Sequence, residues 1–310
     1  MGYTQAYCWG FYGHKLINKS AVYLLPPEMM TLYKSQIDFI EEHAVDPDKR
    51  RYAIKDEGPR HFIDLNEYGQ FPFDSLPKNY TDALTKYGEE FVHENGIVPW
   101  WIQTMYSRLV QAFKDKDQLK ILKLSTELGH YIGDMHVPLH ATSNYNGQQT
   151  NQHGIHGFWE SRLPELFAER EYDFIIGKAE YIPNRKDFVW KRVFESALAA
   201  DTVLKFEAQL NESFPADQKY SFEERSGKVI KQYSTAYSRA YQNMMLGMVE
   251  RRMRQSIYAI ASFWYSAWID AGQPNLSALT NKELSEADKK EIEEMNAVWK
   301  NSSSMIGRQE

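Results

Sequence analysis

Between Leu119 and Val137 apolar side chains fall on nearly every side of a helical projection, yet the same stretch carries His130 and Asp134. Leu119, Ile121, Leu122, Leu124, Leu128 and Ile132 supply the apolar faces. A helix that is apolar all round lies at the centre of its fold, so other elements must wrap it. The chain must also accommodate the imidazole and carboxylate that this helix takes inside. An ionised Asp buried alone costs several kcal/mol unless it is paired or coordinated. Residues four apart share a helix face, so His130 and Asp134 can grip one cation without backbone distortion. Gly129 and Gly133, also four apart, leave room for a second backbone to come close, and Pro138 sets the helix end.

A second pair with the same spacing, His156 and Glu160, follows, with His140 between the two pairs and Asp46 and His61 upstream. A single His-x-x-x-Asp occurs by chance; two such pairs, joined by Gly129-His-Tyr-Ile-Gly-Asp134-Met-His-Val-Pro-Leu-His140, are hard to explain as packing. The set reads as a multinuclear metal site. Imidazole and carboxylate donors without thiolate suit zinc, and an open position on such an ion is where hydrolysis is done. His136 stands two residues from Asp134 and points elsewhere, and His153 precedes a glycine outside the pair. His43 and His93 read as surface or core residues.

Composition narrows the partners. The 310 residues, 43% hydrophobic, suffice for one large domain or two modest ones, and no linker or repeat divides them. Aromatics at 14%, with 20 Tyr and 8 Trp, read as an aromatic-rich core. A net charge of -6 with both signs interspersed argues against a broad basic surface for duplex nucleic acid. The single Cys8 excludes intramolecular disulfides and thiolate clusters. No run reaches transmembrane length. Residues 1–8 lack the apolar stretch of a signal peptide and read as an expression scar or the remnant of an export signal.

The periodicity predicts helices nearly everywhere and few strands. His14, Ile17, Ala21 and Leu24 form a buried stripe ended by Pro26-Pro27, and a second helix is expected from Glu28 to His43, broken by Asp46-Pro-Asp48. The stretch from Ser75 to Pro99 reads as irregular. Trp101, Met105, Leu109 and Phe113 mark another helix, and Ala141 to Gly154 a polar loop suited to substrate contacts. Phe194 to Leu210 and Val249 to Trp268 follow as helices, the latter ending near Gly272 and Pro274. Beyond 276 a peripheral helix with Ile292, Met295 and Trp299 on one face precedes a Ser-rich end.

Taken together, Trp9-Gly-x-x-Gly-His14, Asp46 ahead of Pro59-Arg-His61-Phe-Ile-Asp64, the His130 to His140 string and His156-Gly-Phe-Trp-Glu160 resemble the superfamily of zinc-dependent phospholipases C and single-strand-specific type I nucleases. Order and spacing match from Trp9 to about residue 167, with looser similarity near 245–270. The resemblance implies an all-α, single multi-helical domain with up to three zinc ions at the base of a cleft. Residues 9–275 would form the phosphoesterase domain, and 276–310 its peripheral helix and tail. One ion would take Asp46, His61, His130 and Asp134, with Asp48 and Asp56 as alternatives to Asp46. A second would take His140, His156 and Glu160. The third would take His14, a bridging Asp134, and the terminal amine and carbonyl of Trp9. Here the Trp9 nitrogen is a peptide amide, a very poor ligand, so the expectation is a mature chain that begins at Trp9 after export and is secreted or periplasmic.

Three divalent ions facing Asp46, Asp134 and Glu160 would make a locally positive pocket in an acidic protein and draw in a phosphodiester. The implied chemistry is in-line attack by metal-bound hydroxide, zinc lowering the pKa of water from ~15.7 to roughly 7, with Asp46 orienting or deprotonating that water. Lys49 or Arg50 either offsets transition-state charge or belongs to a solvated run. The reading leans to single-stranded nucleic acid or nucleotide substrates and a monomer. Phospholipase C is the alternative, favoured by Glu160 and by the absence of disulfide cysteines. Ser161 stands where several nucleases have a base-contacting Asn. Tyr68, Phe71, Phe73, Tyr145 and Phe158 are the candidate base-stacking platforms. A noncatalytic metal or phospholigand binder is the reading of another class. Only three protein ligands on the His140 ion favour catalysis over structure.

Overall fold

The computed structural model describes residues 10–225, 227–280, 285–301, 306 and 308. These run in order through α1 (Gly10–Val22), α2 (Pro27–Ser35), α3 (Ile37–His43), α4 (Asp46–Arg50), α5 (Tyr80–Tyr87), α6 (Glu89–Glu94) and α7 (Val98–Asp115). Then come α8 (Gln118–Asp134), α9 (Ile155–Gly157), α10 (Leu163–Glu171), α11 (Arg185–Ser213), the hairpin β1 (Tyr220–Arg225) and β2 (Lys228–Tyr233), α12 (Thr235–Met244), α13 (Met248–Asp270) and α14 (Glu286–Asn301). The hairpin is antiparallel, with Tyr220 opposite Tyr233, and is the only sheet among the described residues. The expected all-α single domain is what the chain forms. No described helix is long and apolar enough to cross a membrane.

The apolar pattern of α8 puts it at the centre, with α1, α3, α7 and α13 packed around it. Ile121, Leu122, Leu128 and Ile132 are fully buried. Asp117 caps its first turn by accepting from the Lys120 amide at 3.1 Å. Polar atoms inside are matched: the Trp264 indole donates to the Ser125 carbonyl at 2.9 Å, and the Tyr33 and Ser125 hydroxyls meet at 2.8 Å. Just past the helix end, Arg252 of α13 donates to the His136 carbonyl at 2.7 Å and Ser196 of α11 to the Met135 carbonyl at 2.6 Å. These contacts satisfy carbonyls that a helix end leaves without intrahelical partners.

Gly129 and Gly133 act as their spacing predicts. A Cβ at Gly129 would stand 2.0 Å from Asn18 Oδ1, and one at Gly133 2.8 Å from Ile17 Cδ1, so only glycine lets α1 lie this close to α8. The approach lays the His14 ring on the His130 ring, with centroids 3.8 Å apart and planes 17° from parallel. Gly129→Ala is therefore expected to destabilise the fold by about 1–3 kcal/mol through overpacking. The check is a lowered denaturation midpoint at unchanged slope; an unchanged midpoint would mean that α1 yields without cost.

Several local expectations are corrected. The helix expected from Glu28 to His43 is two helices, because Gln36 leaves the helical region at φ -116° and ψ 26°. Asp46-Pro-Asp48 starts α4 as well as ending the preceding run, since proline in a first turn lacks only an N–H without a helical partner. The stretch from Ser75 to Pro99 contains α5 and α6, jointed at Gly88 with φ 83°. The hairpin and α12 lie where the pattern predicts no element. Trp9, residues 1–8 and 302–305, and the Met295 side chain lie outside what is described.

Candidate metal centre

Seven of the expected ligands converge. His14 comes from α1, His61 from the 3-10 turn Lys55–His61, and His130 and Asp134 from α8. His140 lies in the turn Pro138–Ala141, His156 in α9, and Glu160 in a π turn over Phe158–Arg162. All seven are buried. With Asp48 added, three groups could hold a metal ion, their donor atoms within 4.8 Å of one another: His14, Asp48 and His130; His61, His130 and Asp134; His140, His156 and Glu160. Asp134 joins them, its Oδ1 lying 3.3 Å from His14 Nε2 and 3.8 Å from His140 Nδ1.

The hydrogen bonds behind the rings fix which nitrogen faces inward. Nδ1 of His130 donates to the Ala44 carbonyl at 2.8 Å, that of His140 to the His61 carbonyl at 2.7 Å, and that of His156 to the Tyr145 carbonyl at 3.1 Å. In a neutral ring with its proton on Nδ1, Nε2 is a bare lone pair. His140 Nε2 and His156 Nε2 therefore face each other at 3.1 Å, with Glu160 Oε2 3.5 and 3.1 Å away. Three converging lone pairs repel, and an ion at their centre turns that repulsion into coordination. Donors about 2.0–2.2 Å from a tetrahedral ion lie roughly 3.3 Å apart, which matches this spacing.

His61 is turned the other way. Its Nδ1 lies 2.9 Å from Asp134 Oδ2, 3.2 Å from His130 Nε2 and 3.7 Å from Asp48 Oδ1. Its Nε2 looks back at Glu57 Oε1, 3.6 Å away, and Glu57 is held by Arg50, Arg60 and the Tyr131 hydroxyl. A carboxylate fixed behind a ring nitrogen orients the ring and raises its basicity. Burial opposes charge on His61, but Asp134 and Glu57 outweigh it and raise its pKa to about 9. Burial and the His14 ring push His130 well down, and burial pushes the Asp48 carboxyl up. Burial also opposes charge on Asp134, yet His130 and His140 hold it well below the carboxylate range. Groups displaced in opposite directions within one cluster mark a functional centre. His14 Nδ1 and both Asp48 oxygens are buried with no hydrogen-bond partner, as donors awaiting an ion would be.

Asp46, expected as ligand and water-orienting carboxylate, is not brought to the cluster. Its Oδ2 pairs with His43 Nδ1 at 2.6 Å and its Oδ1 with Lys49 Nζ at 3.0 Å. The carboxylate beside the histidines is Asp48, whose Oδ1 lies 3.6 Å from His130 Nε2. His43 and Lys49 satisfy Asp46 and hold it away from the donor groups. Lys49 and Arg50 are likewise internal rather than solvated, Lys49 reaching Asn296 and Arg50 reaching Glu127 and Tyr131. None of the four other histidines is in a donor group. His136 Nδ1 donates to the Ile132 carbonyl at 2.7 Å, His93 meets the Tyr80 hydroxyl at 2.8 Å, and His153 is exposed.

The hairpin braces the turn that carries Glu160. Phe158 stacks on Tyr233 of β2 at 3.9 Å and on Tyr241 at 5.0 Å. Arg162 pairs with Glu223 of β1 and donates to the Tyr233 carbonyl at 3.2 Å. Single π turns of this kind recur at functional sites. Phe158 is thus structural, as are Tyr68 and Phe73, buried against Tyr87 and Phe194. Phe71 is 57% exposed and packs on Phe73. Of the expected aromatics Tyr145 meets a ligand through its carbonyl, which accepts from His156, and Phe62, next to His61, is one that periodicity does not single out.

The core helix of this helical domain carries imidazole and carboxylate groups that, with their neighbours, could hold metal ions. The S1/P1 nuclease family model matches residues 9–266, and the chain belongs to that family. Membership makes phosphodiester hydrolysis its class of activity. The described donors all fall inside the match, and α14 lies beyond it. No curated relative is matched with significance.

Proposed function

We propose that the chain is a zinc-dependent phosphodiesterase that cuts single-stranded nucleic acid or nucleotides, and that it acts as an exported monomer. The observation that carries the reading is the His140, His156 and Glu160 group, which offers three lone pairs and, among the described residues, no fourth donor in the group. Three protein ligands with an open position are the mark of catalytic rather than structural zinc. Imidazole and carboxylate without thiolate favour zinc. When bound, such ions supply hydroxide near neutral pH and stabilise both attacking and leaving oxygens of a phosphodiester. The chain's own residues hold and orient. The carbonyls of Ala44, His61 and Tyr145 lock three rings with Nε2 inward. Asp48, in place of Asp46, is the carboxylate positioned to align the attacking water. Phe62 and Tyr145, beside His61 and His156, offer ring faces for a base, and such stacking tolerates any sequence.

The test is zinc-loaded protein assayed on single-stranded DNA, duplex DNA and phosphatidylcholine vesicles. Rapid cleavage of the single strand alone is expected. Hydrolysis of vesicles alone would replace the reading with a phospholipase C, and no turnover with zinc bound would replace it with a binding protein. Chelation is expected to abolish activity and to lower the melting temperature by several degrees. An ion held at a thousand times its Kd adds about 4 kcal/mol to the folded state.

A further inference from the structure

Beyond the family match, α14 rests on α4. Lys49 Nζ donates to Asn296 Oδ1 at 3.0 Å and lies 5.6 Å from the Trp299 ring centre, and Trp299 lies 5.5 Å from Phe11. Farther on, the Ile306 amide donates to the Arg51 carbonyl at 2.8 Å, and the Arg51 guanidinium donates to the Arg308 carbonyl at 2.6 Å. These bonds deliver the Arg308 side chain to a slot beside the donor cluster. Its guanidinium lies 4.0 Å from the Phe62 ring centre and 3.5 Å from that of Tyr145. Nη1 donates to Asp64 Oδ1 at 2.8 Å, and Nη2 faces the Leu139 and Thr142 carbonyls at 3.5 and 3.4 Å. The side chain is only 9% exposed.

The slot takes a flat group with N–H donors on its edge. A guanidinium meets that description, stacking on aromatic faces while its fork pairs with a carboxylate. A nucleobase meets it too, with the same flatness and amino or ring N–H groups on its edge. Both walls are tied to the candidate ligands, Phe62 following His61 and Tyr145 accepting from His156. We propose that Arg308 is a built-in competitor: its guanidinium fills the slot from within and must leave before a substrate base can stack there. This inference rests on the nucleic-acid reading above. It makes the chain a partly self-inhibited enzyme whose apparent affinity is set by how often the Arg308 side chain is out. If that side chain is out in about one molecule in ten, KM rises about tenfold at unchanged kcat.

The experiment compares the full zinc-loaded chain with Arg308→Ala and Arg308→Lys. On a short single-stranded oligonucleotide, Arg308→Ala is expected to lower KM about tenfold with kcat unchanged. Arg308→Lys, which keeps charge without the flat fork, should fall between. Guanosine 5′-monophosphate should bind Arg308→Ala about tenfold more tightly. In the parent chain it should speed hydrogen exchange at the Ile306 amide as Arg308 and its bond to Arg51 are displaced. Cleavage by parent and variant with equal KM and equal mononucleotide affinity would overturn the inference and leave the nuclease reading standing. Cleavage by neither would overturn the nuclease reading, and mononucleotide affinity would then decide: tighter binding by Arg308→Ala keeps the competitor, equal binding removes it.

Discussion

Asp134→Asn is expected to leave a folded protein that holds little zinc and shows no measurable turnover. Asp134 stands between the donor groups, with Oδ1 3.3 Å from His14 Nε2 and Oδ2 2.9 Å from His61 Nδ1 and 3.3 Å from His130 Nε2. The amide has nearly the same shape, so the packing of α8 stays, but it removes a negative charge and points N–H hydrogens where electron pairs must converge. Loss of a group that only supports a ligand costs ~10–100-fold in metal affinity, so loss of this carboxylate should cost at least the upper end of that range. Elemental analysis of dialysed protein beside the cleavage rate reads both effects, with far-UV circular dichroism as the folding control. Full zinc content with retained cleavage would take Asp134 out of the centre.

Asp48→Asn and Asp46→Asn should behave as opposites although only Pro47 separates them. Asp48→Asn is expected to lower zinc content and to reduce kcat/KM by about 100-fold or more, since its carboxylate faces His61 and His130 and makes no hydrogen bond among the described residues. Asp46→Asn should keep its zinc and cleave at close to the parent rate. Its cost should be stability, about 1–3 kcal/mol from weakened pairing with His43 and Lys49. Metal content and melting temperature measured on both variants separate the two roles. The reverse pattern would restore Asp46 as the ligand.

The centre was legible where its donors ride on regular helix. His130 and Asp134 announce themselves because an all-apolar helix has no other use for them, and the flanking glycines announce the approach of α1. Asp46 against Asp48 turns on a subtler signal. Asp46 has His43 three residues before and Lys49 three after, so one helical turn satisfies it from both sides, whereas Asp48 has a basic neighbour, Arg51, on one side only. The break at Gln36 has no proline or glycine to mark it. The hairpin is hidden by its charged residues, and its contacts to Phe158 and Arg162 span more than sixty positions. Phe62, Tyr145 and Arg308 meet only after the whole chain has folded, so no window along the sequence brings them together.

The carbonyl contacts past the end of α8 bear on where the molecule could be cut. Every described donor precedes residue 161, so the first half of the chain looks like a complete ligand set. Yet the backbone immediately after Asp134 is fastened by Ser196 and Arg252, which lie in the other half. A fragment ending at Glu171 would keep the described chemistry and lose the clamp, leaving donors that must find their geometry against chain entropy. The half without described donors thus acts as a clamp: it fastens the backbone beside the site while giving none of the described donor atoms.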